Sequence, residues 1–394
     1  MSIFNSLGSN YDLNFVFKSL LSTREYHQKL KNLLDNKYKG EAVLVYKGRE
    51  AIELALRLSN LPKNSSVAIN GFTCYAIYKA IKNAGYLTHY LDINKSDLNF
   101  SANSLKKALD ETSNIKAVIV QNTLGYPCDI EKIIKICSEN NIILVEDLAH
   151  SVGTKYLNGK ESGTVGDFVA LSFSQDKIVD AVSGGALIIR NKKFRNISTD
   201  LPSPNYKQQA IDRLYPLFTF LIRKTYKVGL GKIIHAVLKS LELLSQPMID
   251  QGRIKTLPNW YCYLAFEEFI KLNEVLEHRR KIAKVYAESI QRSILSSNLT
   301  KSIAKSTNLR FPIFVKKRKS LIDYLKKKNI YVSDIWYDAP IAPKKYMALT
   351  DYANQCPVAE NVSETIVNLP THRNISTEDA ENIAKEVNKW LRSA

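Results

Sequence analysis

One lysine stands apart in this chain. Lys177, in SFSQDK (172–177), lies on a short link between two apolar runs, DFVALSF and GALIIRN, while most other lysines sit in polar stretches. A lysine at its ordinary pKa of about 10.4 is charged and a poor nucleophile. Desolvation or neighbouring cations lower that pKa and free the amine for imine chemistry. The plainer reading is a surface lysine in a loop. Asp147 ends the run IILVED (142–147). A carboxylate at the carboxyl end of a parallel strand can hold a protonated ring nitrogen, a metal or a ribose. It also suits the N-cap of a following helix. His150, in EDLAHS, would share that rim or serve packing alone.

An anion site is available as well. Gly48 precedes a predicted helix in YKGREAIELAL, and backbone N–H groups at a helix N-terminus bind anions. Arg49 adds a forked donor. Ser172, five residues before Lys177, offers a hydroxyl, unless it is a strand serine bonded to backbone. An imine lysine, a carboxylate for a ring nitrogen and phosphate donors are the three things pyridoxal phosphate requires.

Seven β-rich runs must position these residues: VLVY (43–46), VAIN (67–70), HYLDI (89–93), KAVIVQ (116–121), IILVED (142–147), FVALSF (168–173) and ALIIR (186–190). Several are apolar at consecutive positions, as strands buried on both faces are. Helical spacing fills the gaps, over 49–58 and, with Ile130, Ile133, Ile134 and Cys137, over 129–140. Such alternation predicts βαβ units and a largely parallel α/β sheet.

The rest of the chain divides by composition. Residues 1–40 read as an N-terminal helical segment, 41–204 as the large domain, 205–250 as a basic amphipathic insertion and 251–394 as a smaller α+β domain. Residues 192–206 look like a linker. In the last part a long helix is predicted over 265–290, strands over LRFPIFV (309–315) and IYVSDIW (330–336), and a capped, acidic helix start at STEDAENIA.

Bulk properties narrow the function classes. With 394 residues and 45% hydrophobic content, the chain can bury more than one core. Its net charge of +18 suits an acidic partner or reflects a general drift toward lysine. No zinc-finger, RRM-like or bZIP-like pattern occurs, so neither a metal nor nucleic acid is expected. Five scattered cysteines without a CxxC pair suggest reduced thiols in the cytosol. No secretory signal and no bilayer-length apolar run is visible. Residues 213–244 mix large apolar side chains with Lys and Arg. That suits helices lying on an anionic membrane from the cytoplasmic side, or a layer packed against the body or a partner subunit.

The chain resembles the DegT/DnrJ family of pyridoxal-phosphate enzymes, known as nucleotide-sugar aminotransferases of fold type I. The resemblance is carried by GREAIELAL, NGFTCYAIYKAIKNAG, YLDINKSDLNFSANSLKKAL, LVEDLAHSVGTKY, GTVGDFVALSFSQDK with SGGALI, and CPVAENVSETIVNLPTH, in order from about residue 40 onward. It implies a seven-stranded sheet sandwiched by helices, a smaller C-terminal domain and a homodimer with its sites between subunits. Lys177 looks like the lysine that joins the cofactor and carries protons, and Asp147 like the partner of the pyridine nitrogen. His150 falls beside the ring and its hydroxyl, while Ser172, Gly48 and Arg49 look like phosphate ligands.

The chain departs from the family in three places. Lys47-Gly48-Arg49 stands where Ser-Gly-Thr or Asn-Gly-Thr is common. Cys74, followed by Tyr75, stands where many members stack an aromatic on the ring. GRIKTLP replaces a segment containing Asn-Tyr-Arg, leaving Arg253 or Lys255 to reach a partner's phosphate. The implied reaction moves an amino group from an amino acid, glutamate by family habit, to a keto-sugar that is nucleotide- or lipid-linked, in surface-polysaccharide or glycan biosynthesis. A sugar dehydratase of the same fold would carry His in place of Lys177. A non-catalytic binding or regulatory relative is the reading from another class, and turnover of an amino donor separates it.

Overall fold

The computed structural model describes residues 2–22, 25–195, 200–245, 252–332 and 337–393. A two-residue strand, β1 (Ile3–Phe4), comes first, then helices α1 (Leu13–Leu21) and α2 (His27–Tyr38). Strand–helix alternation follows: β2 (Glu41–Val45), α3 (Gly48–Ser59), β3 (Ser66–Asn70), β4 (Thr73–Cys74), α4 (Tyr75–Asn83), β5 (Leu87–Leu91), α5 (Ala102–Glu111), β6 (Ile115–Val120), α6 (Ile130–Glu139), β7 (Ile143–Asp147), β8 (Phe168–Ser172) and β9 (Gly185–Ile189).

Seven of these strands form one sheet, in the order β2-β9-β8-β7-β6-β3-β5. They are the seven apolar runs of the sequence, with ends shifted by one or two residues. Only β9 runs against the others; it pairs antiparallel with both β2 and β8. Alternate residues of each strand serve opposite faces. Phe168 and Ala170 of β8 and Ala117 and Ile119 of β6 join α3 and α4 in one layer. Val169 and Leu171 face α2 on the other side, and Val118 and Val120 face α5 and α6. Both faces are covered, which is why the strands read as continuous apolar runs.

The predicted helix over 265–290 is two helices. α7 (Tyr206–Thr225) and α8 (Leu230–Ser240) come first, then α9 (Asn259–Ile270) and α10 (Leu272–Ser289). Lys271, at φ −91° and ψ 4°, is the joint between α9 and α10. It lies in the sparsely populated bridge region, and helical periodicity on either side conceals it. α9 packs with α2 and the β8 face, while Ile282, Ala283 and Tyr286 of α10 belong to a separate core.

That core is built on β10 (Arg310–Phe314) paired antiparallel with β13 (Ile366–Pro370), covered by helices Arg318–Lys327 and Thr377–Ser393. Ser376 caps the last helix as its sequence predicts, accepting from the Asp379 N–H while Asp379 accepts from the Ser376 N–H. Two short parallel pairs join the parts: β1 with β11 (Ile330–Tyr331), and β4 with β12 (Ile341–Ala342). The predicted strand over 330–336 is β11 at its start; 333–336 lie outside the described residues, as do 196–199 of the expected linker and 246–250 of the insertion.

Candidate active site

Parallel strands deliver their last residues to one edge, and the candidate residues collect there. Asp147 closes β7 and Ser172 closes β8. Gly185 opens the reversed β9 opposite Ser172. α3 begins just after β2, with its positive N-terminal end on the same edge. One cavity takes its lining from these ends: Lys177, Asp147, Ser172, Gly48, Arg49 and Cys74 all face it.

Close backbone approach shapes the anion end. A Cβ on Gly48 would lie 2.6 Å from the Ser172 Cβ and 2.8 Å from its Oγ. One on Gly185 would lie 2.6 Å from the Leu171 carbonyl oxygen and 2.8 Å from the Gly48 Cα. Only glycine lets α3 seat on the β8–β9 pair at this depth. The Glu50 carboxylate reaches back to accept from the N–H groups of Tyr46, Lys47 and Lys255 at 3.1, 3.3 and 3.2 Å. Lys255 thus sits by its backbone at the start of α3 in its own chain. Burial pushes Glu50 up to about 7.

Lys177 occupies a loop whose backbone is tightly specified. Asp176 before it and Val182 after it have φ of 62° and 70°, a region that a β-branched residue rarely enters. Asp180 holds both. Its Oδ2 accepts from the Asp176 N–H at 2.7 Å and its Oδ1 from the Val182 N–H at 3.0 Å. Tyr11 Oη donates to Oδ1 at 2.7 Å, and Asn10 Nδ2 donates to Oδ2 at 3.0 Å and to the Lys177 carbonyl at 3.1 Å. The residue is partly open to the cavity, but its amine is enclosed. Desolvation is the main reason the amine falls from 10.5 to about 8, with Arg310 adding to the fall and Asp147 opposing it. Burial likewise raises Asp147 to about 6, against the pull of the Ala149 N–H and Lys177.

Asp147 Oδ1 accepts from the Ala149 N–H at 2.9 Å. A turn follows rather than a helix, so the alternative of a helix N-cap is not met. His150 and Tyr75 do not line the cavity. His150 is buried behind it; its Nδ1 accepts from the Leu124 N–H at 3.3 Å, so the neutral ring carries its proton on Nε2. Burial and the Lys177 charge keep that imidazole neutral. The Tyr75 ring stacks on Tyr346, centroids 5.1 Å apart. Cys74 therefore takes the cavity-facing position of the pair.

Lys47, Ser174, Gln175 and Tyr337 also line the cavity; the first three lie inside motifs already quoted without being singled out as site residues, and Tyr337 lies in none. Tyr337 is fully buried with φ 67°, stacks on Phe72 at 4.3 Å and accepts from Gln121 Nε2 at 3.0 Å. It lies 160 residues beyond Lys177, in a loop without periodicity; only its strained, turn-like backbone could have drawn notice. Lys47 precedes α3 and is buried, its Nζ 4.5 Å from the Tyr46 ring centroid.

The residues fit pyridoxal phosphate. Three cations, Lys47, Arg49 and Lys177, face one carboxylate, Asp147, among the charged lining residues, so the cavity favours a dianion. The glycine-walled cradle lies at the helix N-terminus, and Ile52, Ile77, Ala342 and Pro343 supply apolar walls for a ring.

The family model for the DegT/DnrJ/EryC1/StrS aminotransferase family matches residues 21–388. Among curated relatives, the GDP-perosamine synthase of Escherichia coli O157:H7 is 22% identical over 94% of this chain and 91% of its own. The dTDP-3-amino-3,6-dideoxy-alpha-D-galactopyranose transaminase of Aneurinibacillus thermoaerophilus is 26% identical over 88% and 84%. Spr1654 of Streptococcus pneumoniae, described as a sugar aminotransferase and solved in its PMP form, shares the fold with a TM-score of 0.71 and 18% identity over 99% of both chains. With that fold, that coverage and a lysine, a carboxylate and an anion cradle at one strand edge, the chain belongs to the DegT/DnrJ/EryC1/StrS family of pyridoxal-phosphate-dependent aminotransferases.

Proposed function

We propose that this chain moves an amino group from glutamate to a keto-sugar carried on a nucleotide, in two half-reactions at the Lys177 cavity. The observation that carries the reading is the convergence of Lys177, Asp147 and the Gly48 cradle on one cavity. The relatives named for GDP- and dTDP-sugars support a nucleotide-linked acceptor.

In this reading Lys177, Asp147, Gly48, Arg49 and Ser172 would hold the cofactor, the lysine at its aldehyde end, the carboxylate toward its ring nitrogen and the other three at its phosphate. When bound, pyridoxal phosphate supplies an electron sink for the donor's α-carbon. Lys177 Nζ holds and moves the proton. With its pKa near 8 a useful share is uncharged close to neutral pH, which an unperturbed lysine is not. Asp147, buried and anionic above about pH 6, matches a cationic ring nitrogen. Tyr337, Ala342 and Pro343 wall the cavity beside these groups.

A homodimer and a cytosolic location complete the proposal. The five cysteines are all free, which suits a reducing compartment. The test is the absorbance of the purified protein with pyridoxal phosphate, wild type beside Lys177→Ala. A visible band that borohydride fixes at Lys177 and that glutamate bleaches supports the reading, and keto-sugar nucleotides are then tried as acceptors. An unchanged band in Lys177→Ala, or no response to any amino donor, would leave a protein that keeps the family's fold without its chemistry.

A further inference from the structure

Fifteen large apolar side chains are exposed among the described residues, and eleven of them lie in two stretches, 13–21 and 206–241. Scattered singly such residues need no account; gathered, they mark an interaction surface. On α1 they are Leu13, Phe17 and Leu21, four apart and so on one face. On α8 a second stripe runs through Leu230, Ile233 and Val237, with Leu241 just past the helix end. α1 packs against α7, and α7 against α8, so α7 links the two helices that carry the stripes.

The inner faces of these helices are already engaged. Asp212 of α7 is buried and accepts from Tyr46 Oη at 2.5 Å and Tyr261 Oη at 2.7 Å. Tyr215 meets the Tyr11 ring edge-on at 6.1 Å, and Arg223 Nη2 donates to the Tyr11 carbonyl at 2.6 Å. Gly231 and Leu238 are the buried side of α8. The apolar stripes are therefore a second, outward face on a layer that the body already holds.

Charge selects what covers it. From Tyr206 to Leu241 the sequence carries seven Lys or Arg and one acidic residue, the buried Asp212. Lys224, Lys227, Lys232 and Lys239 are exposed. A second copy of the chain would bring the same cations and a net charge of +18, and a twofold contact would lay the cations against themselves. Apolar stripes among lysines, with no exposed carboxylate between Tyr206 and Leu241, complement an anionic lipid surface instead. Among the described residues no helix is long and apolar enough to cross a membrane, so the contact is one of lying on the surface. We propose that α1, α7 and α8 form a docking face for an anionic bilayer.

Flotation of the full-length holoenzyme with vesicles tests this. Vesicles of phosphatidylcholine alone are compared with an equal mixture of phosphatidylcholine and phosphatidylglycerol. The expected result is flotation with the mixture only, weakened by salt. Ile233→Ser with Val237→Ser, and separately Lys232→Glu with Lys239→Glu, each weaken it about tenfold or more. All four positions are exposed, so melting temperature and the glutamate half-reaction should match wild type; the latter also reports separately on the proposed transamination. Equal behaviour on both vesicles, no flotation at all, or variants that float like wild type would overturn the proposal. So would a loss of self-association, measured by sedimentation, on Ile233→Ser with Val237→Ser, because the face would then be a subunit contact.

Discussion

At the scale of the residue, two groups of the proposed site make separable predictions. Lys177 releases its proton near pH 8 in the fold and near 10.5 when unfolded. Between those values the unfolded chain binds more protons, so the lysine's contribution makes stability rise with pH across that window. Below about pH 8 both states are protonated and the contribution is flat. The apoprotein of Lys177→Met should lose this rise in a series of denaturant melts from pH 7 to 10, and amine labelling of wild-type apoprotein at Lys177 should reach half its maximum near pH 8. A midpoint above 10 would mean the cavity leaves the amine as water would.

Asp180 never lines the cavity, yet it holds both left-handed turns that flank Lys177. It is a positioning residue. Asp180→Asn keeps the shape but offers one acceptor oxygen where there were two, so one turn loses its N–H partner. A small displacement of a reacting group can cost about a hundredfold in rate. The expected outcome is a fall in kcat of about 10- to 100-fold with KM for the acceptor nearly unchanged, and faster hydrogen exchange over 174–183. A lowered melting temperature with unaltered kcat would make Asp180 a structural residue only.

At the scale of the element, the proposed anion site depends on how closely α3 seats on β8 and β9. Gly48→Ala forces a methyl to within 2.6 Å of the Ser172 Cβ, which moves the helix end or the strand end away. Affinity for pyridoxal phosphate, measured by equilibrium dialysis of the apoprotein, should fall at least about tenfold, roughly the worth of one good charged hydrogen bond. Unchanged affinity in the single variant would place the phosphate elsewhere. The helix itself was legible from its spacing; the depth of its seat was not, because that depends on which strand end lies opposite Gly48.

At the scale of the whole molecule, the first eleven residues strap the two cores together. β1 pairs with β11, and the Asn5 N–H donates to the Tyr331 carbonyl at 3.1 Å. Asn5 Nδ2 donates to the Asn368 carbonyl at 2.7 Å, and Arg310 bonds the Asn5 carbonyl. Ser9, Asn10 and Tyr11 then reach Asp176 and Asp180 beside the lysine. Deleting residues 2–8 removes the strand pairing but leaves the groups that touch the lysine loop. It should lower the melting temperature by several degrees, at about 1 kcal/mol for each buried hydrogen bond lost, with a smaller loss of kcat than Asp180→Asn. The reverse ranking would show that the strap matters to the site more than the acid does.

Much of this protein was settled by local patterns. The seven strands, their burial on both faces and α3 and α6 follow from consecutive apolar runs and helical spacing, which need only neighbours along the chain. The candidate residues of the proposed site were likewise visible, because strand ends deliver Asp147 and Ser172 to one edge in any parallel sheet. The tertiary structure decided the rest. It chose Cys74 over Tyr75 for the cavity, withdrew His150 behind Tyr337, and broke the expected long helix at Lys271. It brought Tyr337 to Lys177 and the amino-terminal strap to Asp180 across 169 residues. Those outcomes depend on contacts between distant segments, and periodicity carries no information about which distant segments meet.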